Sequence, residues 1–341
     1  MNILSAAKIS AVLAITSVLA AGEAGAAPEG AVRAMNFSAE IKTDLIREGS
    51  ALLKSKKYPD VVWTLNDSGG TPCLFAVTEQ GKLIIPKGVE AKNYKGLLVT
   101  GAANVDWEAL TADGDGNLLI IDAGNNNNKR KDLAVYIVPE PDPREVSETS
   151  EAVKIDFSYP DQVSFPPAEK NYDCEAAFFS EGHLYLLTKH RSDTDTKLYR
   201  FDPLPPQGGQ AALTLVGYTD IKIKKVKNEI KALKEQPATK KILEANPVFS
   251  SVFKNEDYMF MVTDAALSPD GKELAVLTYA GIWLFEKPEI SDNFIGGKRK
   301  NYAFWPLMSA GQCEGITFSG ENILVSNEEG RLFTVPLSAF E

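Results

Sequence analysis

Acidic residues recur at the head of short apolar stretches, and they are the side chains of this sequence best suited to chemistry. The clearest copy is Asp106–Thr111 (DWEALT). Each copy reaches a turn glycine some residues later and then enters a second apolar run, which is the pattern of paired strands in a repeat. Five copies can be recognised, the first of them faint. Four of the copies have an acid at this position, and the first copy has a serine. In chain order the residues are Ser50, Glu108, Glu175, Asp264 and Glu314.

Carboxylates that meet at one point cannot all stay ionised without a compensating charge. The innermost strands of a β-propeller line a central channel, so we expect these four acids and Ser50 to meet there. Calcium accepts six to eight oxygen ligands in loose geometry and suits such a ring better than magnesium or zinc. With only two histidines in the chain, a zinc cage is hard to build. The alternative is that the acids bond to nearby backbone amides and only mark the strand starts.

The elements that must position these acids are predicted to be four-stranded antiparallel blades. A third and a fourth apolar run follow the paired strands in most units, which predicts an all-β fold, a five-bladed β-propeller. The first unit would end with strand Leu83–Ile85. The last unit has only three strands, and the N-terminal segment Ala31–Ile41 is expected to supply the fourth and close the ring.

The turns between second and third strands should open on the same face as the axial acids. In these turns, Asp67 or Asp122 is the candidate catalytic base. Tight hairpins need Asn, Asp and Gly in any case, and exposed charged turns are common. The residues that could hold an anionic substrate on this face are Asn66, Arg130, Lys189, His190 and Arg191.

Residues 222–258 do not resemble strands and are predicted to form a lysine-rich helical insertion between blades three and four. Val226, Ile230 and Leu233 recur at helical spacing within Lys222–Lys241. The insertion should overhang the mouth of the ring and could contact a protein partner, although a solvated helix face is the default explanation for such a lysine run.

The N-terminal residues 1–26 have the layout of a signal peptide, with Lys8, an apolar run and small residues before the predicted cleavage site. Residues 27–341 would then form one exported domain, periplasmic or extracellular, with no later membrane span. A net charge of −10 disfavours a nucleic-acid partner. The three cysteines, Cys73, Cys174 and Cys313, are expected to be buried small side chains rather than disulfide partners.

Several of these motifs resemble those of a known family. Cys313–Phe318 (CEGITF) is similar to the last-blade motif of the calcium-activated nucleotidases, the secreted apyrase type, in which an aromatic residue precedes Glu-Gly. Glu175 and the Leu187–Ser192 turn resemble that family's Glu-led strand and Leu-Pro-Arg-Arg turn, and Asn66–Gly69 stands where the family has Asp-Asp-Arg-Thr-Gly. The resemblance implies five blades around a central calcium ion.

The sequence departs from that family at three places. Asp264 stands where the family has serine, Lys189 and His190 replace its paired arginines imperfectly, and the lysine-rich insertion is foreign to it. A second likeness is to uncharacterised exported bacterial propellers that share the Asn-Asp-Ser-Gly, Asp-Trp-Glu and Asp-x-Gly-x-Asn motifs. Fold and metal therefore transfer more safely than chemistry.

Three functions fit the sequence. The first is a calcium-dependent hydrolase of phosphate esters or anhydrides that acts on a small anionic substrate. The second is a lactonase or esterase, because a central calcium ion can also polarise a carbonyl group. The third is a binding propeller without enzymatic activity, in which calcium is structural and the insertion faces the partner.

Overall fold

The computed structural model describes residues 33–193, 195–235, 256–304 and 310–341, together with the isolated positions 237, 240 and 244. The predicted signal peptide, the first two residues of the N-terminal segment Ala31–Ile41 and most of the second half of the insertion lie outside these residues. Among the described residues, no helix has the length and apolarity needed to cross a bilayer.

The described strands form five antiparallel sheets of four strands each, and one further strand pairs with the second sheet. The prediction of an all-β propeller with five blades is confirmed. The strands of the first two blades are β2 (Leu53–Lys54), β3 (Val62–Leu65), β4 (Cys73–Val77), β5 (Leu97–Leu98), β6 (Trp107–Ala112), β7 (Asn117–Asp122), β8 (Ala134–Pro139) and β9 (Val153–Phe157). Those of the third blade are β10 (Asp173–Ser180), β11 (His183–Lys189), β12 (Asp195–Phe201) and β14 (Leu213–Asp220), and β13 (Gly209–Ala211) lies parallel to β9.

The last two blades follow the same order. Their strands are β15 (Val262–Leu267), β16 (Glu273–Thr278), β17 (Gly281–Glu286), β18 (Arg299–Ala303), β19 (Cys313–Ser319), β20 (Asn322–Asn327) and β21 (Arg331–Pro336). Strand β1 (Asn36–Glu40) pairs antiparallel with β21 at the outer side of the fifth sheet.

The core consists of five apolar clusters, and each lies between two neighbouring blades. Trp63 and Trp107, for example, are fully buried between the first and second blades. Burial of apolar area of this kind is the main favourable term in folding. Because the fifth cluster joins the fifth blade to the first, the blades form a closed ring around one axis.

The cysteines belong to these clusters. Cys73, Cys174 and Cys313 are free and buried, which confirms that they pack as small apolar side chains. Burial raises the pKa of Cys73 to about 11, so its thiol stays protonated at neutral pH.

The fourth strand of the first blade was predicted at the wrong place. Leu83 makes only a single bridge to Val77, and the outer strand of this blade is β5, which pairs with β4. The chain between Leu83 and β5 contains Pro86 and a one-turn 3-10 helix (Ala91–Asn93), which explains why the strand cannot continue from Leu83.

The lysine-rich segment contains helix α1 (Lys224–Glu235), which follows β14 in the chain and precedes β15. Val226 and Ile230 are fully buried in the cluster between the third and fourth blades, so the apolar face predicted from their spacing packs on the core. A 3-10 helix (Glu256–Phe260) then leads into β15. Two further 3-10 helices span Phe294–Gly296 and Leu337–Ala339.

Candidate functional site

Each innermost strand carries the same irregularity at its head. In the second blade Trp107 pairs with Asp122 but Ala109 pairs with Ile121, so Glu108 is the extra residue of a β-bulge. The same one-residue shift occurs in the other four blades. The residues at the bulge are, in blade order, Ser50, Glu108, Glu175, Thr263 and Glu314, and we call this set the bulge ring.

The strand register therefore corrects the sequence alignment by one residue in the fourth blade. Thr263, not Asp264, takes the place of the glutamates. The hydroxyl group of Thr263 donates a hydrogen bond of 2.7 Å to the carbonyl oxygen of Cys313 in the next blade. Ser50 makes the equivalent bond, 2.9 Å, to the carbonyl oxygen of Trp107. The two hydroxyl members of the bulge ring thus tie neighbouring blades together.

Asp264 is a buried carboxylate that bonds to backbone amides. One of its oxygens accepts the N–H of Ile316 at 2.8 Å and of Leu52 at 3.4 Å, and the other accepts the N–H of Ala265 at 2.8 Å. These amides belong to the fifth, first and fourth blades. Asp264 does not line the axial cavity. Asp264 therefore has the contacts expected under the alternative interpretation, in which the acids at the strand starts bond to nearby backbone amides.

A second ring lies where each second strand ends, beside the bulges. Its members are Asp67, Ala123, Lys189, Tyr279 and Glu328, which we call the hairpin ring. Four of the five are polar, and all four line the cavity. The predicted residues Asp67 and Lys189 are therefore brought together with four members of the bulge ring, Ser50, Glu108, Glu175 and Glu314.

The cavity at the axis has a volume of about 160 Å³. Its lining is polar and carries six carboxylates against two cations. The charged residues are Glu48, Asp67, Glu108, Glu175, Glu314 and Glu328, with Lys189 and Arg191. Since the acids outnumber the bases, the field inside the cavity attracts cations.

One side of the cavity is neutralised by the protein itself. The ammonium of Lys189 is 2.8 Å from Oε2 of Glu175 and 3.3 Å from the hydroxyl of Tyr279, which donates a 2.9 Å hydrogen bond to Oε1 of Glu314. Burial alone would lower the pKa of Lys189, but Glu175 and Glu314 outweigh it, and the pKa is raised. Lys189 is therefore a permanent cation at the axis.

On the other side, two carboxylates of the cavity lining, Asp67 and Glu108, form a cluster with Asp106. Asp67, Asp106 and Glu108 each place one oxygen within 4.8 Å of the others. Burial and the neighbouring Asp67 raise the pKa of Asp106 to about 7, and burial together with Glu175 raises the pKa of Glu108. Gly124 allows this approach, because an added Cβ would lie 2.6 Å from Cγ of Asp106 and 2.8 Å from Cγ of Glu108.

Arg191 is the second cation of the cavity lining. Its Nε donates to Oδ2 of Asp173 at 2.7 Å, and its Nη2 also contacts Asp173 and Asn126 and lies 3.7 Å from Oε1 of Glu175. Asp173 is fully buried, whereas 21% of the Arg191 side chain is exposed. Asp173 thus orients the guanidinium group toward the cavity mouth.

The remaining predicted site residues lie away from the cavity lining. Asp122 pairs with Arg130 at 2.8 Å and accepts the backbone N–H of Asp106, so both side chains hold the loop in place. Asn66 bonds to the backbone of Leu45 and Arg47. His190 is fully buried, and burial lowers its pKa.

Several site residues were not assigned from the sequence, among them Asp106, Tyr279, Tyr258, Glu48 and Glu328. Asp106 opens the motif that defined the repeat, but only Glu108 was assigned to the axis. Tyr279 could have been found by aligning the ends of the second strands, because Asp67, Lys189 and Glu328 lie at the equivalent place in other blades. Tyr258 had no sequence signal, since it comes from the insertion.

No protein-family model and no curated protein matches the sequence. Among solved structures, the chain is similar to virginiamycin B lyase from Staphylococcus aureus, with 12% identity, a TM-score of 0.36, and coverage of 84% of this chain and 66% of that chain. It is similar to a nidogen/laminin complex, with 9% identity, a TM-score of 0.39, and 86% and 77% coverage. It is also similar to the PQQ-bound aldose sugar dehydrogenase from Streptomyces coelicolor, with 8% identity, a TM-score of 0.46, and 90% and 98% coverage.

Likenesses at this level of identity and TM-score carry no conclusion about activity or ligand. The blade number rests on the strand pairing of the chain itself.

Proposed function

We propose that this propeller binds a divalent cation, calcium by preference, in its axial cavity and uses it to hydrolyse phosphate esters or anhydrides. The observation that supports the proposal is the carboxylate cluster of Asp67, Asp106 and Glu108, whose oxygens lie within 4.8 Å of one another. The resemblance to the calcium-activated nucleotidases favours the same metal and the same class of reaction.

The donor set fits a hard cation. All three groups supply carboxylate oxygens, and no histidine or cysteine is found among the described residues that line the cavity, which favours calcium over zinc. Burial and the negative charge of Asp67 raise the pKa of Asp106, and burial and the negative charge of Glu175 raise that of Glu108; a cation beside these acids would remove that cost. We therefore place the ion at one side of the axis, away from Lys189.

A bound calcium ion would neutralise phosphate oxygens and make a water molecule more acidic. The protein's own groups would do the rest. Arg191, oriented by Asp173 and partly exposed at the cavity, would bind a phosphate oxygen. Glu314 lines the cavity and has a pKa raised to about 7 by burial, which suits a group that accepts a proton at neutral pH. The sequence predicted Asp67 or Asp122 as the base, and of these two residues Asp67 lines the cavity.

A binding propeller with structural calcium is the second candidate. It is favoured by the ion pairs that already neutralise Lys189 and Arg191, because a cation held by internal acids attracts a phosphate group less strongly. In this case the ion would stabilise the ring without any turnover.

The test uses residues 27–341 stripped of metal. We expect isothermal titration to show one calcium ion per chain, and phosphate release from nucleoside triphosphates or p-nitrophenyl phosphate to need calcium and stop with chelator. Asp106→Asn and Glu108→Gln should weaken calcium binding by at least tenfold, as loss of one carboxylate ligand does. Glu289→Gln, at an exposed site, should match the wild type.

Calcium binding without phosphate release from any of these substrates would leave the binding propeller as the function. Absence of calcium binding at millimolar concentration would refute both.

We also propose that the protein is exported and that β1 closes the ring. The proposal of export rests on the signal-peptide pattern of residues 1–26. Closure by β1 is supported by the pairing of β1 with β21, which brings the start of the domain beside its end. The order of α1 between β14 and β15 in the chain supports a third proposal, that the insertion lies between the third and fourth blades.

A further inference from the structure

Tyr258 is the one described cavity-lining residue that no blade supplies. The rest of the lining comes from the heads of innermost strands and from the hairpins beside them, whereas Tyr258 belongs to the 3-10 helix at the end of the insertion. The insertion therefore contributes a single aromatic side chain to a cavity that is otherwise built from polar residues of the blades.

The lysines of the insertion hold the residues next to Tyr258. Lys234 of α1 pairs with Glu256 at 2.7 Å, and Lys222 lies 3.4 Å from Asp257. Together these two ion pairs fix both residues that precede Tyr258 in the chain. Part of the lysine run thus serves to position this segment.

Apolar contacts fix the other end of the same segment. Met259 and Phe260 are buried in the cluster that contains Val226 and Ile230 of α1. A side chain held on both sides in this way loses little further freedom when a ligand binds.

Tyr258 stacks on Tyr279, with ring centroids 5.1 Å apart and ring planes at 11°. Tyr279 is itself fixed by its hydrogen bond to Glu314 and by Lys189, whose ammonium is 5.4 Å from the ring centroid. Tyr279 covers one face of Tyr258. Tyr258 stays half-buried and lines the cavity, so part of its surface faces the space that a ligand would enter.

The stack lies across the ring from the carboxylate cluster. The innermost strands contact one another in the order β2, β6, β10, β15, β19 and back to β2, so the blades are arranged around the axis in chain order. In a ring of five, the fourth blade faces the boundary between the first and the second. Tyr279 belongs to the fourth blade, and Asp67, Asp106 and Glu108 belong to the first and second.

From this arrangement we infer that Tyr258 is a specificity-determining residue that stacks on a planar unsaturated ring of the substrate. The inference rests on the proposed function, because it takes the phosphate end of the ligand to lie at the cation site. A molecule that spans the cavity would place its phosphate at the cation held by Asp67, Asp106 and Glu108. Its other end would then lie against the two tyrosines. The favoured substrates are then phosphate esters that carry an aromatic ring rather than an alkyl group.

The experiment compares phenyl phosphate with methyl phosphate on calcium-loaded residues 27–341 by isothermal titration. We expect the wild type to bind phenyl phosphate more tightly. Tyr258→Ala should weaken phenyl phosphate by roughly two- to tenfold, the range of an aromatic contact, and leave methyl phosphate unchanged. Tyr258→Phe keeps the ring and should retain the preference. Tyr218→Ala, at a tyrosine that is 67% exposed on β14, is the matched control.

Lys234→Met tests the positioning by the insertion. It removes the ion pair with Glu256 and should reduce the preference for phenyl phosphate without changing the affinity for calcium. The calcium affinity of every variant is measured first, since a misfolded variant would lose it.

Equal affinity of the wild type for the two esters would overturn the inference, as would an equal loss of both in Tyr258→Ala. Either result with calcium still bound leaves the cation site standing. Loss of calcium binding in the wild type is the separate outcome that removes the proposed function.

Discussion

The ammonium nitrogen of Lys189 lies 2.8 Å from Oε2 of Glu175, and both side chains are buried at the axis of the propeller. A cation was expected at this place from the convergence of acids, and the protein supplies it from a hairpin of the third blade. The consequence is that Lys189 compensates part of the negative charge of Glu175 and Glu314, whereas Asp67, Asp106 and Glu108 have no lysine of their own in direct contact among the described ion pairs.

Replacing Lys189 by methionine should destabilise the metal-free protein. It leaves Glu175 buried without its partner, and breaking a buried ion pair from one side costs about 3–5 kcal/mol. Calcium should restore part of the loss, because an ion can then enter between Glu175 and Glu314. Urea denaturation with calcium and with chelator measures both effects.

Lys154→Met is the control for this change. Lys154 pairs with Asp156 at 2.8 Å, but about half of each side chain is exposed. Such a pair contributes less than about 1 kcal/mol. Equal stability of Lys189→Met and the wild type in chelator would show that the axial ammonium does not balance the acids.

The stability of the metal-free protein should fall as pH rises from 5 to 8. Burial and neighbouring acids raise the pKa of Asp106 and of Glu314 to about 7. A raised pKa means that the folded state binds protons which the unfolded state has released, so this contribution to stability is complete below the ordinary pKa and is lost as pH passes through 7. Calcium replaces those protons, and the difference in Tm between calcium and chelator should therefore grow with pH.

Asp106→Asn combined with Glu314→Gln is the matched variant for the pH series. Without the two titrating groups, the difference in Tm should depend much less on pH. A difference in Tm that is the same at pH 5 and pH 8 in the wild type would contradict the assignment of these carboxyls as buried and coupled to the cation.

Asp264→Asn should reduce stability without changing calcium affinity. The carboxylate accepts three backbone N–H groups from three blades, and an amide nitrogen at one of its oxygens would face a donor. Loss of a satisfied acceptor in a buried place costs about 1–3 kcal/mol. The measurements are denaturation and calcium titration, with Asp115→Asn at an exposed turn as the control. A tenfold loss of calcium affinity in Asp264→Asn would return this residue to the metal site.

The repeat itself could be predicted from the sequence, because paired apolar strands with turn glycines recur and each blade needs the same pattern. Glu108, Glu175 and Glu314 were placed at the axis for this reason, and the structure brings all three to the cavity. The helical spacing of Val226 and Ile230 likewise revealed the buried face of α1.

The error at Asp264 has a physical cause. A strand alternates its faces with every residue, and a bulge shifts the register by one without any mark in the sequence. Of the two neighbouring polar residues in the fourth blade, Thr263 and Asp264, only the acid matches the glutamates in side-chain charge. The strand pairing instead puts the hydroxyl of Thr263 at the bulge.

The contacts that neutralise the cavity could not be predicted either. Lys189 and Arg191 were taken as free cations for an anionic ligand, since sequence gives no distance between a hairpin and the bulge beside it. In the folded chain they are adjacent to Glu175 and Asp173, and these pairs decide which part of the axis remains available to a metal ion.

The five bulges affect which amino-acid substitutions the innermost strands of such a protein can accept. Each adds one residue at the head of an innermost strand while the flanking residues keep their partners in the sheet, so the side chain at that point can vary without a change in strand pairing. Serine, threonine and glutamate already occupy equivalent places. The side chain at each of the five bulges can therefore be exchanged while the strand pairing is kept. Substitutions in one blade after another could introduce a new ion site or a new reaction.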